Sequence, residues 1–195
     1  MKTNVIRWEC RKLNIVSKAR NVSLRKIYAG DLKRITEFEY SVSITEPHSN
    51  LDRLKQLYTE TQLWSELSGA AAIVENSTNK LVGTCQYYRS APCIHGLEIG
   101  YIIHDENDRG KGYASQALQL LSDHLFMKRP SIFRQQLLIE VGNTPSWRVA
   151  ENCGFVREGI LRNSGFGDNP ANCFSYSKTK EDYEKEQNSL YGATS

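Results

Sequence analysis

The sequence predicts an α/β protein, a mixed sheet with helices on its faces. Three observations carry that expectation. Strand-like and helix-like periods alternate in the order β-α-α-β-β-β-α-β-α-β-β along 195 residues. One strand, L-E-I-G-Y-I-I-H (97–104), is nearly continuous in apolar character, as strands buried on both faces are. A glycine-rich turn, N-D-R-G-K-G (107–112), then joins that strand to a helical stripe. With 39% hydrophobic residues the chain can bury one core. One domain over 21–184 is expected, with an N-terminal extension (1–20) and a polar C-terminal tail (185–195).

Each element has its own signal. N-V-S-L-R-K-I-Y (21–28) alternates as a strand does. Asp31 then starts a helix, with Leu32, Ile35 and Phe38 on one side. P-H-S-N precedes a second helix over about 50–67, striped by Leu51, Leu54, Leu57 and Tyr58. Strands at 69–75 and 80–88 flank the turn E-N-S-T-N-K and so form a hairpin. After strand 97–104 the period changes: Ala114, Ala117, Leu118, Leu121, Leu125 and Phe126 form a helical stripe over 110–128, which Pro130 ends. Q-L-L-I-E-V (136–141) is a strand. N-T-P-S-W-R-V-A-E-N-C-G is a short helix capped by Asn143 or Thr144, with Pro145 at its first position and Gly154 at its stop. Two short strands follow near 155–163 and 172–178, and the charged tail from Lys180 is expected to fray.

Composition narrows the function classes. The formal charge is +3, with Lys and Arg spread along the chain, so nucleic-acid binding is not signalled. The five cysteines (10, 85, 93, 153 and 173) form no C-x-x-C pair, and the four histidines (48, 95, 104 and 124) have no ligand spacing. Reduced thiols, a cytoplasmic location and no metal are expected. Neither a signal peptide nor a membrane span is legible.

A glycine turn at a helix N-terminus suits an anion: the first N–H groups are unpaired, and the helix dipole lies behind them. A P-loop is excluded, because Lys111 sits between two glycines and no Ser or Thr follows it. A dinucleotide fingerprint is excluded by the two helices and three strands that come first. The acetyl-CoA motif R/Q-x-x-G-x-G/A is met in full by Arg109, Gly112 and Ala114. Together with I-E-V-G-N-T-P-S-W-R-V-A-E-N-C-G-F-V-R-E-G and the strand C-F-S-Y-S, the chain resembles a GCN5-related N-acetyltransferase (GNAT) over roughly 21–184. It is similar to the branch that contains bacterial ribosomal-protein N-terminal acetyltransferases.

The resemblance implies the GNAT acyl-CoA N-acyltransferase fold, acetyl-CoA as acetyl donor and direct attack of an amine on the thioester. It places the coenzyme's pyrophosphate on Arg109, Gly110, Lys111, Gly112, Tyr113, Ala114 and Ser115. It places the pantetheine along the backbone of Ile102 and Ile103, where strand 97–104 splays from strand 136–141, with an N–H there as oxyanion donor. Glu98 is the candidate base. Strand alternation puts it on one face with Gly100 and Ile102, and its alternative is a paired or substrate-orienting carboxylate. His104 is a second candidate, or a loop histidine. Ser146 is the candidate partner of the thiolate, since no tyrosine occurs between 129 and 175; its alternative is a helix-start serine. Asn143 contacts the pantetheine or caps the helix. Cys173 has no histidine near it and is a poor nucleophile. The expected text of the last strands is absent at Gly165-Phe166 and Asn172-Cys173-Phe174, which leaves the acceptor side open.

The acceptor side comprises 30–67 and the 89–96 loop, with Glu37, Glu39, Glu46, Glu60, Tyr40, Tyr58 and Trp64. A protein N-terminal α-amine is the first expectation, with aminoglycoside, polyamine or aminoacyl-nucleotide amines as alternatives. The rival class is a CoA-binding module without turnover. No membrane partner is expected, and a homodimer is left open.

Overall fold

The computed structural model describes residues 15–37, 51–90, 95–165 and 171–192. They form one eight-stranded sheet in the order β1-β2-β3-β4-β5-β6-β8-β7. The strands are β1 (Ile15–Lys18), β2 (Val22–Lys26), β3 (Ser68–Glu75), β4 (Leu81–Arg89), β5 (Leu97–Ile103), β6 (Arg134–Glu140), β7 (Val156–Leu161) and β8 (Cys173–Thr179). Every neighbouring pair is antiparallel except β5 and β6, which are parallel and joined by a helical crossover. The sheet is mixed, as the sequence predicts.

The crossover helix is α3 (Tyr113–Lys128). Its stripe of Ala117, Leu118, Leu121, Leu125 and Phe126 is fully buried against Val22, Leu24, Ile73, Leu97, Ile99 and Leu137 of the sheet. Ala114 lies at the partly buried margin. The opposite face carries α1 (Leu32–Thr36) and α2 (Leu51–Thr61), whose smaller core joins Leu32, Ile35 and Leu54 to Ile27, Ala72 and Val74. One face therefore packs on α3, and the other on α1 and α2.

Three local readings change. The second helix stops at Thr61 rather than near 67, because Gln62 and Leu63 turn left-handed (φ 55° and 50°) and Leu63 enters the small core. The stretch before residue 21 supplies β1, paired with β2. In α4 (Thr144–Asn152) it is Asn143 that caps, so Pro145 takes the second helical position. Gly154, at φ +77°, follows the helix as predicted.

The tail read as frayed is a helix, α5 (Lys180–Gly192). Tyr183 stacks on Phe126 with ring centroids 5.3 Å apart. The fully buried Lys178 ammonium meets Glu186 at 2.6 Å and the Cys153 carbonyl at 2.9 Å. Two anchors thus hold a helix whose own sequence is polar. Phe38, Cys10, Cys93 and His48 lie outside the described residues.

Candidate active site

The site begins where β5 and β6 part. They pair only at Leu97↔Gln135 and Glu98↔Gln136. Beyond Glu98, β5 continues on β4 alone through Ile103↔Gly83. The His104 N–H bonds the Val82 carbonyl on β4, so by alternation the backbone groups of Glu98, Gly100 and Ile102 also face β4. The Ile99 N–H is the last group that β6 holds, and the backbone groups of Tyr101 and Ile103 face the opening, where no strand pairs with them among the described residues. This corrects one expectation: the backbone of Ile102 is committed to β4, and Tyr101 takes its place beside Ile103 on the open edge.

The glycine turn lies at the end of this edge. A short 3-10 turn (Glu106–Asp108) leads to Gly110 at φ +74° and Gly112 at φ +75°, a region that L side chains rarely adopt. A Cβ on Gly110 would meet nothing within 4 Å, so conformation alone explains that glycine. The bond from Gln116 N–H to the Gly112 carbonyl opens α3. The N–H groups of Tyr113, Ala114 and Ser115 precede it and are the helix's free donors. The Tyr113 side chain turns inward and its hydroxyl donates to Glu75, so only its backbone serves the turn.

The two cations differ from expectation. Lys111 donates to Asp108 Oδ1 at 2.9 Å, and Lys80 donates to Oδ2 of the same buried carboxylate at 2.7 Å. Hydrogen bonds from Lys80, then Lys111, hold the Asp108 carboxyl below its ordinary range. The charge of Lys111 is therefore tied to the β3–β4 hairpin rather than free for phosphate. Arg109 spans the gap: Nε donates to the Ile103 carbonyl at 3.4 Å, and an Nη reaches Glu106 at 3.3 Å.

Glu98 is buried at the last paired position. Tyr88 donates to its Oε1 at 2.6 Å and Gln136 to its Oε2 at 2.9 Å. It is neither bare nor paired with arginine: two neutral donors fix it. His104 is a buried strand-end residue rather than a loop histidine, with Nε2 3.4 Å from Thr84 Oγ1. Burial, and secondarily the Arg34 charge, pushes its imidazole down to about 4. Asn143 caps α4, with its side-chain oxygen accepting from Ser146 N–H at 3.3 Å. The Ser146 hydroxyl meets the Tyr101 hydroxyl at 3.0 Å, and Tyr101 also donates to the Ser146 carbonyl at 2.8 Å. Tyr101 packs on the α3 side of the sheet, whereas Glu98 shares the opposite face with Tyr88. The two catalytic candidates thus flank the opening from opposite faces. Tyr88, Tyr101 and Gln136 went unread in the sequence, because only strand register brings them to the site. Burial raises the Cys173 thiol, and pushes Cys85 to about 12 and Cys153 to about 11, which leaves them poor nucleophiles.

Residues 21–156 match the model of the acetyltransferase (GNAT) domain family. The chain belongs to the GNAT family. Its relatives include an uncharacterized N-acetyltransferase p20 of Bacillus licheniformis, 34% identical over 47% of this chain and 50% of that protein. A ribosomal-protein-serine acetyltransferase of Escherichia coli is 35% identical over 45% of this chain and 48% of that protein. The chain thus spans about half the length of these two relatives. A spermidine N(1)-acetyltransferase of Vibrio cholerae is 26% identical over 72% of this chain and 82% of that protein. Among solved structures, a Vibrio cholerae spermidine/spermine N-acetyltransferase superposes with TM-score 0.71 at 21% identity, covering 85% of this chain and 96% of that one. A GNAT-family acetyltransferase of Bacillus anthracis gives 0.68 at 21%, covering 85% and 98%. These likenesses establish the GNAT fold.

Proposed function

We propose that this GNAT protein transfers the acetyl group of acetyl-CoA to a primary amine, with a protein or peptide N-terminal α-amine as acceptor. The observation that carries the reading is the backbone edge of Tyr101 and Ile103, which no strand pairs among the described residues, running from the β5–β6 divergence into the Gly110–Gly112 turn. An extended pantetheine arm suits an open strand edge, and a pyrophosphate suits the N–H groups of Tyr113, Ala114 and Ser115. Gly110 and Gly112 give the turn its left-handed backbone, and Arg109 supplies positive charge. A backbone N–H on the open edge is the oxyanion donor.

Transfer forms a C–N bond and breaks the C–S bond. The attacking nitrogen loses a proton, for which Glu98 is the acceptor, directly or through a water. The leaving sulfur takes the C–S electron pair, and Ser146 is its hydrogen-bond donor. An α-amine with a pKa of about 8 keeps a useful neutral fraction at neutral pH. Along the described acceptor side, Glu37 pairs with Arg34 and Asp52 with Lys55, both on exposed helix faces. Glu39, Glu46 and Tyr40 lie outside the described residues. Glu60 accepts from the Gln56 amide and keeps its charge, so one carboxylate on this face suits a single ammonium better than a multiply charged chain.

Polyamine acetylation is the second reading, favoured by the spermidine-acetylating relative that aligns over 72% of this chain. Thiol release from acetyl-CoA, measured against N-terminal peptides, polyamines, aminoglycosides and an aminoacyl-nucleotide analogue, separates these readings. Release with peptides supports the first, and release with spermidine alone replaces it by the second. Coenzyme binding without release for any amine overturns transfer in favour of a binding module.

A further inference from the structure

Tyr101 stands on β5 beyond the point where β6 departs, and its side chain reaches the start of α4, which follows β6. The contact therefore bridges the two arms of the opening. Its hydrogen-bond inventory is restrictive. The Ser146 carbonyl only accepts, and the Tyr101 hydroxyl has one proton to give. When that proton goes to the carbonyl at 2.8 Å, the contact at 3.0 Å is made by the Ser146 hydroxyl donating to Tyr101 Oη. When Tyr101 turns its proton to Ser146 Oγ, the Ser146 proton is released toward the opening. A small rotation about the phenolic C–O bond exchanges the two states.

The Ser146 main chain is fixed independently, because its N–H is held by the side-chain and backbone oxygens of Asn143. Burial keeps the Tyr101 hydroxyl above the ordinary tyrosine range, so it remains a phenol and gives only a hydrogen bond.

We propose that Tyr101 is a positioning residue for Ser146, holding its hydroxyl in place and, by exchanging acceptors, freeing the Ser146 proton to hydrogen-bond the coenzyme A thiolate. The inference rests on the acetyl-transfer reading. No proton leaves either hydroxyl: the thiolate carries the C–S electron pair and accepts an O–H···S hydrogen bond. A thiol ionising near pH 8.5 needs no stronger donor than a charge-assisted hydrogen bond.

Coenzyme A itself is the probe, because its bound thiol can be titrated without turnover. Thiolate absorbance of the wild-type complex, followed across pH, is expected to show ionisation lowered by about one pH unit from free coenzyme A. Tyr101→Phe and Ser146→Ala should each return it toward the free value, with coenzyme affinity at low pH unchanged. Tyr101→Phe/Ser146→Ala should be no different from Ser146→Ala alone, since both remove one donor. Ser146→Ala leaves Tyr101 its carbonyl acceptor and so preserves the bridge. A bound thiol that ionises like free coenzyme A, or additive effects of the two substitutions, overturns the proposal and leaves acetyl transfer standing. Absence of coenzyme binding overturns both.

Discussion

The hydroxyl of Tyr88 donates to Oε1 of Glu98 at 2.6 Å, at the last position where β5 and β6 remain paired. With Gln136 on the second oxygen, the carboxylate is oriented at the mouth of the opening. Two neutral donors meet the need of a buried acid for partners while keeping lone pairs for an incoming proton. Tyr88 itself is held well above the ordinary tyrosine range by burial and then by Glu98, so it serves as a fixed donor.

Glu98→Gln replaces one acceptor oxygen with an amide that faces a donor. A kcat loss of about 100-fold is expected from removal of a general base, with acetyl-CoA affinity little changed. Steady-state kinetics with parallel calorimetry checks this. Thermal unfolding should report a cost of about 1–3 kcal/mol for the mismatched hydrogen bond. Wild-type turnover across pH would remove Glu98 from the mechanism.

At the turn, Gly112→Glu should abolish coenzyme binding, since it brings bulk and negative charge to a φ of +75°. Gly110→Ala is the matched comparison. Its Cβ has open space, so it should cost about 1–2 kcal/mol of backbone strain and keep binding. Unchanged affinity in Gly112→Glu would contradict the phosphate reading.

Gly154→Ala is expected to unseat α5. A Cβ there would collide with Glu186 Oε1, on the carboxylate that pairs with buried Lys178. The added φ strain makes a loss of about 2–4 kcal/mol the expectation, read by chemical denaturation. Glu186→Gln, which keeps shape but leaves the buried Lys178 ammonium without its counter-charge, should cost at least as much.

His104 gives an acid-side signature. Unfolded histidine takes its proton near 6.5, but the folded imidazole, buried beside Thr84 and facing the Arg34 charge, does so at about 4. Between those values the unfolded chain binds more protons. Stability is therefore full above about 6.5 and falls as pH drops toward 4, by up to about 3 kcal/mol. His104→Gln should flatten that slope in unfolding measured at several pH values. The same depression keeps His104 neutral at working pH, so a neutral-range inflection in kcat/KM should persist in this variant.

Helix α3 and its turn were legible because they are local: the stripe from Ala117 to Phe126 has a helical period, and Gly110 and Gly112 mark left-handed backbone. The partners of the candidate residues were not local. Tyr88 meets Glu98 through antiparallel register, and Tyr101 meets Ser146 across 45 residues. A search for a tyrosine near α4 in sequence could not find one supplied by β5. Lys111 looked like a phosphate ligand because the pull of Asp108 and the company of Lys80 depend on the hairpin's position. Helix α5 offered no apolar stripe, since Tyr183 on Phe126 and the Lys178–Glu186 pair do the holding.

The most direct test of acetyl transfer is mass spectrometry of the acceptor after incubation with acetyl-CoA and the purified chain. Peptides with a free N-terminus should gain one acetyl group on the α-amine, and the gain should be lost with Gly112→Glu and much reduced with Glu98→Gln. Unmodified peptides, with coenzyme bound and spermidine and other amines also unmodified, would contradict the account.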